Sequence, residues 1–435
     1  MNILFLTTYN VPMEHEHIFT KGVFNSLAPY ISSRESDNLT LCTLIEDPEQ
    51  TDSETIEDQY GDIPYKKLKF YKWLSREQKI KIFSAFFQKI NPDIIHSQMS
   101  DGWDVAAAQL AGIPIVNTIH IGGIICARGG GNGFLDEHDR ICSRVVGKEC
   151  CKCIFHDIPY PKVANVLYHL IPNPIKRYFA NRKKRILYLS ALGITKWLID
   201  ETLWKIKIFK DSHFIAANPR LAEALAKNGI KKNVHIIPHG VPDRERLPFP
   251  PIEGKLKLFF LSRVQYSKGL HVIFKALSGI DPSKYEIHII GDAGSSRFDQ
   301  RYYRNLKKSG KKSGINAIIH GRISNADLES IVKDCHVLVM PTICMEVYGI
   351  AIAEALAMGR PVISSTCGGP QMQITEDVNG WLVPPNDPIS LRKRIQTLID
   401  NPLLVENASK NAQLPHPVEN YVKSLHNLYK SISGK

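Results

Sequence analysis

The stretch Glu346–Pro370, EVYGIAIAEALAMGRPVISSTCGGP, decides the fold of this chain. An apolar run, His336–Met340 (HVLVM), precedes it, and another, Val362–Ser364 (VIS), lies inside it. Between them a helix is expected to begin near Tyr348 and to stop at the turn Gly359-Arg360-Pro361. Strand, loop, helix, strand is a βαβ unit.

The first turn of such a helix has unbonded backbone N–H groups and a partial positive charge, so it suits an anion such as a phosphate. Gly349 lets the backbone approach a ligand closely. Glu346, just before the helix, can accept hydrogen bonds from hydroxyls beside the phosphates. Glu354 lies about two turns along the helix at ~3.6 residues per turn, within reach of a second hydroxyl pair. Phosphates flanked by two polyols describe a nucleotide sugar. The plainer alternative is an amphipathic helix carrying a solvated glutamate.

The chain of 435 residues is long enough for two or three domains, and its 43% hydrophobic content suits ordinary globular cores. Lys and Arg (55) outnumber Asp and Glu (43), giving a net charge of +12 that favours phosphorylated ligands, anionic lipid or nucleic acid. No RNA-binding or helix-turn-helix signature accompanies the charge, which sets nucleic acid aside. The first residues, MNILFLTTYN, lack a basic n-region and read as a buried strand rather than a signal peptide. No apolar run reaches the roughly 18 residues of a membrane span. The expected location is the cytoplasm, at the inner face of the cytoplasmic membrane.

Short apolar runs alternate with helical patterns on both sides of a Pro-rich, charged stretch between Pro238 and Gly254. Such runs are typical of parallel strands buried on both faces. The expected architecture is therefore α/β with two Rossmann-like, doubly wound domains facing a cleft. Residues 1–240 form the first domain, 241–254 a linker, 255–412 the second domain, and 413–435 a helix that packs back on the body. In the second domain, the run Leu256–Leu261 leads into Ser262-Arg263-Val-Gln-Tyr-Ser-Lys268-Gly269. Arg263 and Lys268 thus stand before a helix as a diphosphate clamp, a fork and a point charge. The next strand ends at Gly291 with room for a ligand.

Taken in order, strand-SRxxxxKG, strand-GxxG, strand-HG and ExxxGIxxxEAxxxGxPVI resemble the C-terminal domain of glycosyltransferase family 4, which has the GT-B fold. The match extends to Asn379-Gly380-Trp-Leu-Val383, and Pro238-His-Gly-Val241 resembles the family's interdomain junction. The resemblance implies a retaining glycosyltransferase that moves a sugar from a nucleoside-diphosphate sugar to a hydroxyl of a glycan or lipid-linked glycan. Arg263 and Lys268 would hold the donor diphosphate, Glu346 the sugar hydroxyls, and Glu354 the ribose. Backbone around Tyr348, Gly349 and Ile350 would contact sugar and phosphate. No metal cofactor is required for transfer in this family. In the first domain, Gly22 resembles one glycine of a donor-phosphate loop, and Lys21 breaks the usual pair. His120, after PIVNTIH, matches a histidine that contacts the donor sugar near the reaction centre. The alternatives are a catalytically silent sugar-nucleotide or glycan-binding module, and a nucleotide-sugar epimerase.

Two further segments ask for separate readings. Of nine cysteines, five lie between Cys126 and Cys153, inside an insertion spanning 121–156. Cys126, Cys142, Cys150 and Cys153 supply the ligand count of a structural zinc, and the pattern resembles an insertion in some family members; free thiols in a Gly-rich loop are the alternative. Residues 160–209 interleave Lys and Arg with Tyr, Trp and Leu, as an interfacial helix on anionic lipid does, or as ordinary helices covering a sheet do.

Overall fold

The structure is a computed structural model. It describes residues 1–7, 38–50, 52–60, 63–99, 101–120, 124–129, 134–156, 161–180, 187–294 and 296–434. Two compact units emerge. The first comprises Met1–Glu137, Ser143–Pro238 and Glu419–Lys435, the second His138–Cys142 and His239–Val418.

Unit 1 is built on β1 (Asn2–Thr7), β2 (Asn38–Asp47), β3 (Glu54–Tyr60), β4 (Ile63–Tyr71), β5 (Ile94–Ser97), β6 (Ile115–Thr118), β7 (His213–Ala216) and β8 (Val234–Ile236). Their order in the sheet is β3-β4-β2-β1-β5-β6-β7-β8, parallel except for β3 against β4. Ile3 stands level with Leu39 on one side and Ile94 on the other, so these three share one face, while Leu4 and Leu6 are buried on the opposite face. The helix Val418–Ser433 covers one of these faces. Its Tyr421, Leu425, Leu428 and Tyr429, at helical spacing, pack on Ile3, Phe5, Leu39 and Val116.

The β3–β4 hairpin escapes an apolar-run reading because its outer strand is charged. Glu54 stands opposite Lys69 in register, Glu57 forms an ion pair with Lys66, and Lys67 reaches Asp58 Oδ2 at 2.7 Å. Cross-strand ion pairs of this kind blunt an edge that would otherwise invite another strand.

Unit 2 has six described strands: β9 (Leu256–Leu261), β10 (Tyr285–Ile290), β11 (Ala317–Gly321), β12 (Val337–Met340), β13 (Val362–Ser365) and β14 (Gly380–Val383). All pairings are parallel, in the order β11-β10-β9-β12-β13-β14. The order reverses between β9 and β12, and ligands of open α/β sheets bind outside the carboxyl ends of the strands at that point.

The run read as a linker is strapped along unit 2. Arg246 donates to the carbonyls of Ser409 (2.6 Å) and Ala412. Arg360, 0% exposed, sends its guanidinium to five carbonyls: Val332, Lys333 and Met358 of the body, and Leu247 and Pro248 of the strap.

Candidate functional site

Both loops at the reversal point of unit 2 carry the polar residues singled out in the sequence. After β9, Ser262 N–H donates to Ile290 O (3.1 Å) and Val264 N–H to Asp292 O (2.9 Å), so this loop runs beside the end of β10. Gly291 sits there at φ 134°, and a Cβ would come within 1.9 Å of Ser262 O. The glycine is a packing requirement, since it lets the loops after β9 and β10 touch.

Lys268 ends a 3₁₀ turn, Tyr266–Lys268, and its Nζ donates to Glu346 Oε2 at 2.6 Å. Thr342 Oγ1 lies 3.4 Å from the same oxygen. Burial works against the charge on Lys268, but the Glu346 carboxylate outweighs it and raises the pKa above the ordinary lysine value. Arg263 is close enough to exert a smaller downward pull on Lys268. The site therefore keeps an ammonium at neutral pH. Glu346 is fixed through its backbone as well: its N–H donates to Cys367 O and its C=O accepts from Gly369 N–H, both at 2.9 Å.

Three residues on, at Gly349, the chain turns into the helix Ile350–Ala357. Gly349 is its N-cap, at φ 91°, and no side chain caps the first turn. The left-handed cap is a conformation that glycine adopts without strain. Tyr348 is buried, edge-on to His239 with ring centroids 5.7 Å apart, and its carbonyl accepts from Gln373 Nε2. The uncapped end of the helix thus lies beside the Lys268–Glu346 pair.

Glu354 does not face solvent as an ordinary surface glutamate would: it is 4% exposed. Arg244 of the strap donates to its Oε1 at 3.0 Å and to Glu329 Oε1 at 3.2 Å. Sequence reasoning missed Arg244. The only signal was a charge inside a Pro-rich run otherwise taken for a connector.

In unit 1, His120 follows β6 and its Nε2 hydrogen-bonds Gln98 Oε1. Gln98 in turn contacts His96, whose Nε2 lies 2.6 Å from Thr118 Oγ1. Gln98 was not foreseen either. Gly22 lies outside the described residues.

Around the insertion cysteines, as elsewhere among the described residues, no three His, Cys, Asp or Glu side chains gather to hold a metal ion. Cys126 Sγ accepts from Phe134 N–H (3.3 Å). Cys153 Sγ lies 3.6 Å from Glu137 Oε2, which pairs with Arg144 at 2.6 Å. That guanidinium holds the Glu137 carboxyl down at about 2.

In the basic segment, the helix Pro161–Leu170 buries Ala164 and Tyr168 and exposes Val163, Val166 and Leu170 on the other side. Ile194 and Trp197 of the helix Leu187–Phe209 are exposed too. Not all of the lysines are solvated flank. Lys176 is 5% exposed, with Nζ 4.0 Å from the Tyr168 ring centroid, and Lys196 pairs with Asp200. No helix among the described residues is long and apolar enough to cross a membrane.

Comparison with known proteins agrees with this geometry. Residues 243–414 match the family described as glycosyl transferases group 1. The D-rhamnosyltransferase WbpZ of Pseudomonas aeruginosa is 25% identical over 194 residues, 42% of this chain and 48% of that protein. A D-inositol 3-phosphate glycosyltransferase of Xylanimonas cellulosilytica is 30% identical over 149 residues, 34% of each chain. The matched region thus spans about half or less of these curated relatives. The crystal structure of HepE from Anabaena in complex with UDP-glucose superposes over 99% of this chain and 100% of its own, with a TM-score of 0.64 at 16% identity. The chain has the GT-B fold, and residues 243–414 are similar to the glycosyl transferases group 1.

Proposed function

We propose that this protein is a retaining glycosyltransferase that moves a sugar from a nucleoside-diphosphate sugar to a hydroxyl of a glycan or lipid-linked glycan. The observation that carries the reading is the assembly at the reversal point of unit 2: Lys268 on Glu346 beside an uncapped helix start, with Glu354 buried further along that helix. UDP-glucose, with which HepE is in complex, is of the chemical class this assembly fits.

Each group has a task. Lys268, Arg263 and the first-turn N–H groups bind the diphosphate and stabilise the charge that grows on it as the sugar leaves. These fixed donors supply the leaving-group stabilisation for which other transferases use a divalent cation. Glu346 orients the sugar through its hydroxyls, and Glu354, held by Arg244, takes the ribose hydroxyls. In the transfer, the bond from the anomeric carbon to the phosphate oxygen breaks as the acceptor oxygen bonds to that carbon on the same face. The acceptor proton passes to the departing phosphate oxygen, leaving a glycoside and a nucleoside diphosphate. By the family resemblance, His120 would be the histidine that meets the donor sugar.

The exposed stripe Val163, Val166, Leu170 with Ile194 and Trp197, in a segment rich in Lys and Arg, supports contact with an anionic membrane from the cytoplasmic side, where a lipid-linked acceptor would be met. The test is nucleoside diphosphate release from a panel of UDP-, GDP-, ADP- and dTDP-sugars. One donor is expected to turn over slowly with water, releasing sugar with the donor's anomeric configuration. Glu346→Ala is expected to abolish the release, and turnover unchanged in that variant would overturn the site assignment.

A further inference from the structure

Unit 1 contains a buried polar chain that the transfer chemistry above leaves unexplained. It starts on the C-terminal helix, where Tyr429, fully buried, places its hydroxyl against Nδ1 of His96, also fully buried, with ring centroids 5.7 Å apart. His96 is the penultimate residue of β5, and its ring also lies against Phe5, with centroids 4.6 Å apart. Its Nε2 faces Thr118 Oγ1 at 2.6 Å and the Gln98 amide nitrogen at 3.0 Å. The Gln98 amide oxygen then meets Nε2 of His120.

With the Gln98 amide oriented in this way, nitrogen to His96 and oxygen to His120, the donor and acceptor inventory allows one proton arrangement along this chain. An amide nitrogen only donates, so His96 Nε2 is the acceptor and carries no proton. The ring is neutral, as burial dictates by pushing its pKa down to about 3. Its single proton is therefore on Nδ1 and is donated to the Tyr429 oxygen. An amide oxygen only accepts, so His120 donates to it from Nε2. In the neutral His120 ring, Nδ1 is then the nitrogen that accepts.

We infer that Gln98 is a positioning residue which, backed by His96 and Tyr429, fixes His120 in the Nε2–H tautomer with Nδ1 as its acceptor atom. The terminal helix thus has a second role beyond covering the sheet. A donor-sugar hydroxyl meeting His120 would donate its hydrogen to Nδ1, and a ring flipped to the other tautomer would present a competing N–H there. That consequence for turnover rests on the proposed transfer, whereas the tautomer assignment does not.

The experiment is long-range ¹H–¹⁵N correlation NMR on full-length protein labelled at histidine, with the His120 signals identified by their absence in His120→Ala. At a pH where the ring is neutral, Nε2 is expected in the protonated range and Nδ1 in the unprotonated range. Gln98→Met is expected to draw the two shifts together as the tautomers mix. Gln98→Glu, which keeps the accepting oxygen, is expected to retain the wild-type pattern. Gln98→Met is also expected to slow nucleoside diphosphate release roughly tenfold, the scale seen when an orienting partner of a functional histidine is lost, with little change in donor KM. A proton on Nδ1 in the wild type, or His120 shifts unchanged in Gln98→Met, would overturn the inference. Locked tautomer signals without turnover of any donor would instead count against the proposed transfer alone.

Discussion

Replacing Arg360 by Met should uncouple the strap from unit 2. The side chain keeps its approximate bulk and loses every hydrogen bond. Of the five carbonyls the guanidinium serves, those of Val332 and Met358 also accept from Cys335 N–H and Leu247 N–H. Those of Leu247, Pro248 and Lys333 are the ones at risk. At about 1 kcal/mol net for each of these three, the loss is ~3 kcal/mol before relief of the buried charge is set against it. The charge itself sits uneasily: burial lowers the Arg360 pKa to about 10. A net destabilisation of about 2–3 kcal/mol results, which for a unit of this size lowers Tm by roughly 4–12 °C. Thermal unfolding followed by circular dichroism measures it. Since Leu247 and Pro248 follow closely on Arg244, the same change should loosen the clamp on Glu354 and weaken donor binding. Arg360→Lys, a point charge without the fork, should fall between. A Tm within a degree or two of the wild type would refute the claim that this guanidinium ties the strap down.

Three other outcomes are expected. Burial holds the pKa values of His96 near 3 and of His239, His271 and His336 near 4. These lie below the unfolded value of ~6.5, so the unfolded chain takes up protons first and stability, full above about pH 6.5, falls as pH drops. The loss should reach about 2–3 kcal/mol per histidine by pH 4.5, read as a falling urea midpoint from pH 7 to 4.5, and a flat profile would contradict the burial of these rings. Arg244→Ala should raise the donor Kd about tenfold, the loss of one charge-assisted contact, while binding of inorganic diphosphate stays unchanged; equal losses for both would show that Arg244 does not act through Glu354. Val166→Glu should abolish co-sedimentation with vesicles containing anionic lipid while leaving the melting curve as it was. Retained sedimentation would place the membrane contact elsewhere.

Much of the second unit was legible because its chemistry stands at strand ends. A short apolar run followed by glycine and charge marks a loop at the carboxyl edge, and Arg263, Lys268, Gly291 and Glu346 all announce themselves in that way. Their assembly follows from strand order alone, since β9 and β12 are neighbours. What stayed hidden depends on partners distant in sequence. Arg244 finds its carboxylates 85 and 110 residues on, and Gln98 finds His120 22 residues on. Neither distance leaves a period or a motif. The β3–β4 hairpin was hidden for another reason: its stability as an edge comes from the charges that make it read as loop. Lys176 shows the converse, a lysine that composition assigns to the surface and packing assigns to the Tyr168 ring.

The central claim is that Lys268 and its surroundings bind the diphosphate of a nucleotide-sugar donor. Isothermal titration of wild-type and Lys268→Ala protein with UDP, GDP, ADP and dTDP tests it most directly. At least one nucleotide should bind the wild type, and the variant should bind it about 10- to 100-fold more weakly, the effect of losing a charge-assisted contact of ~1.5–3 kcal/mol. Undiminished affinity in a folded Lys268→Ala variant, or no binding of any of the four to the folded wild type, would contradict it.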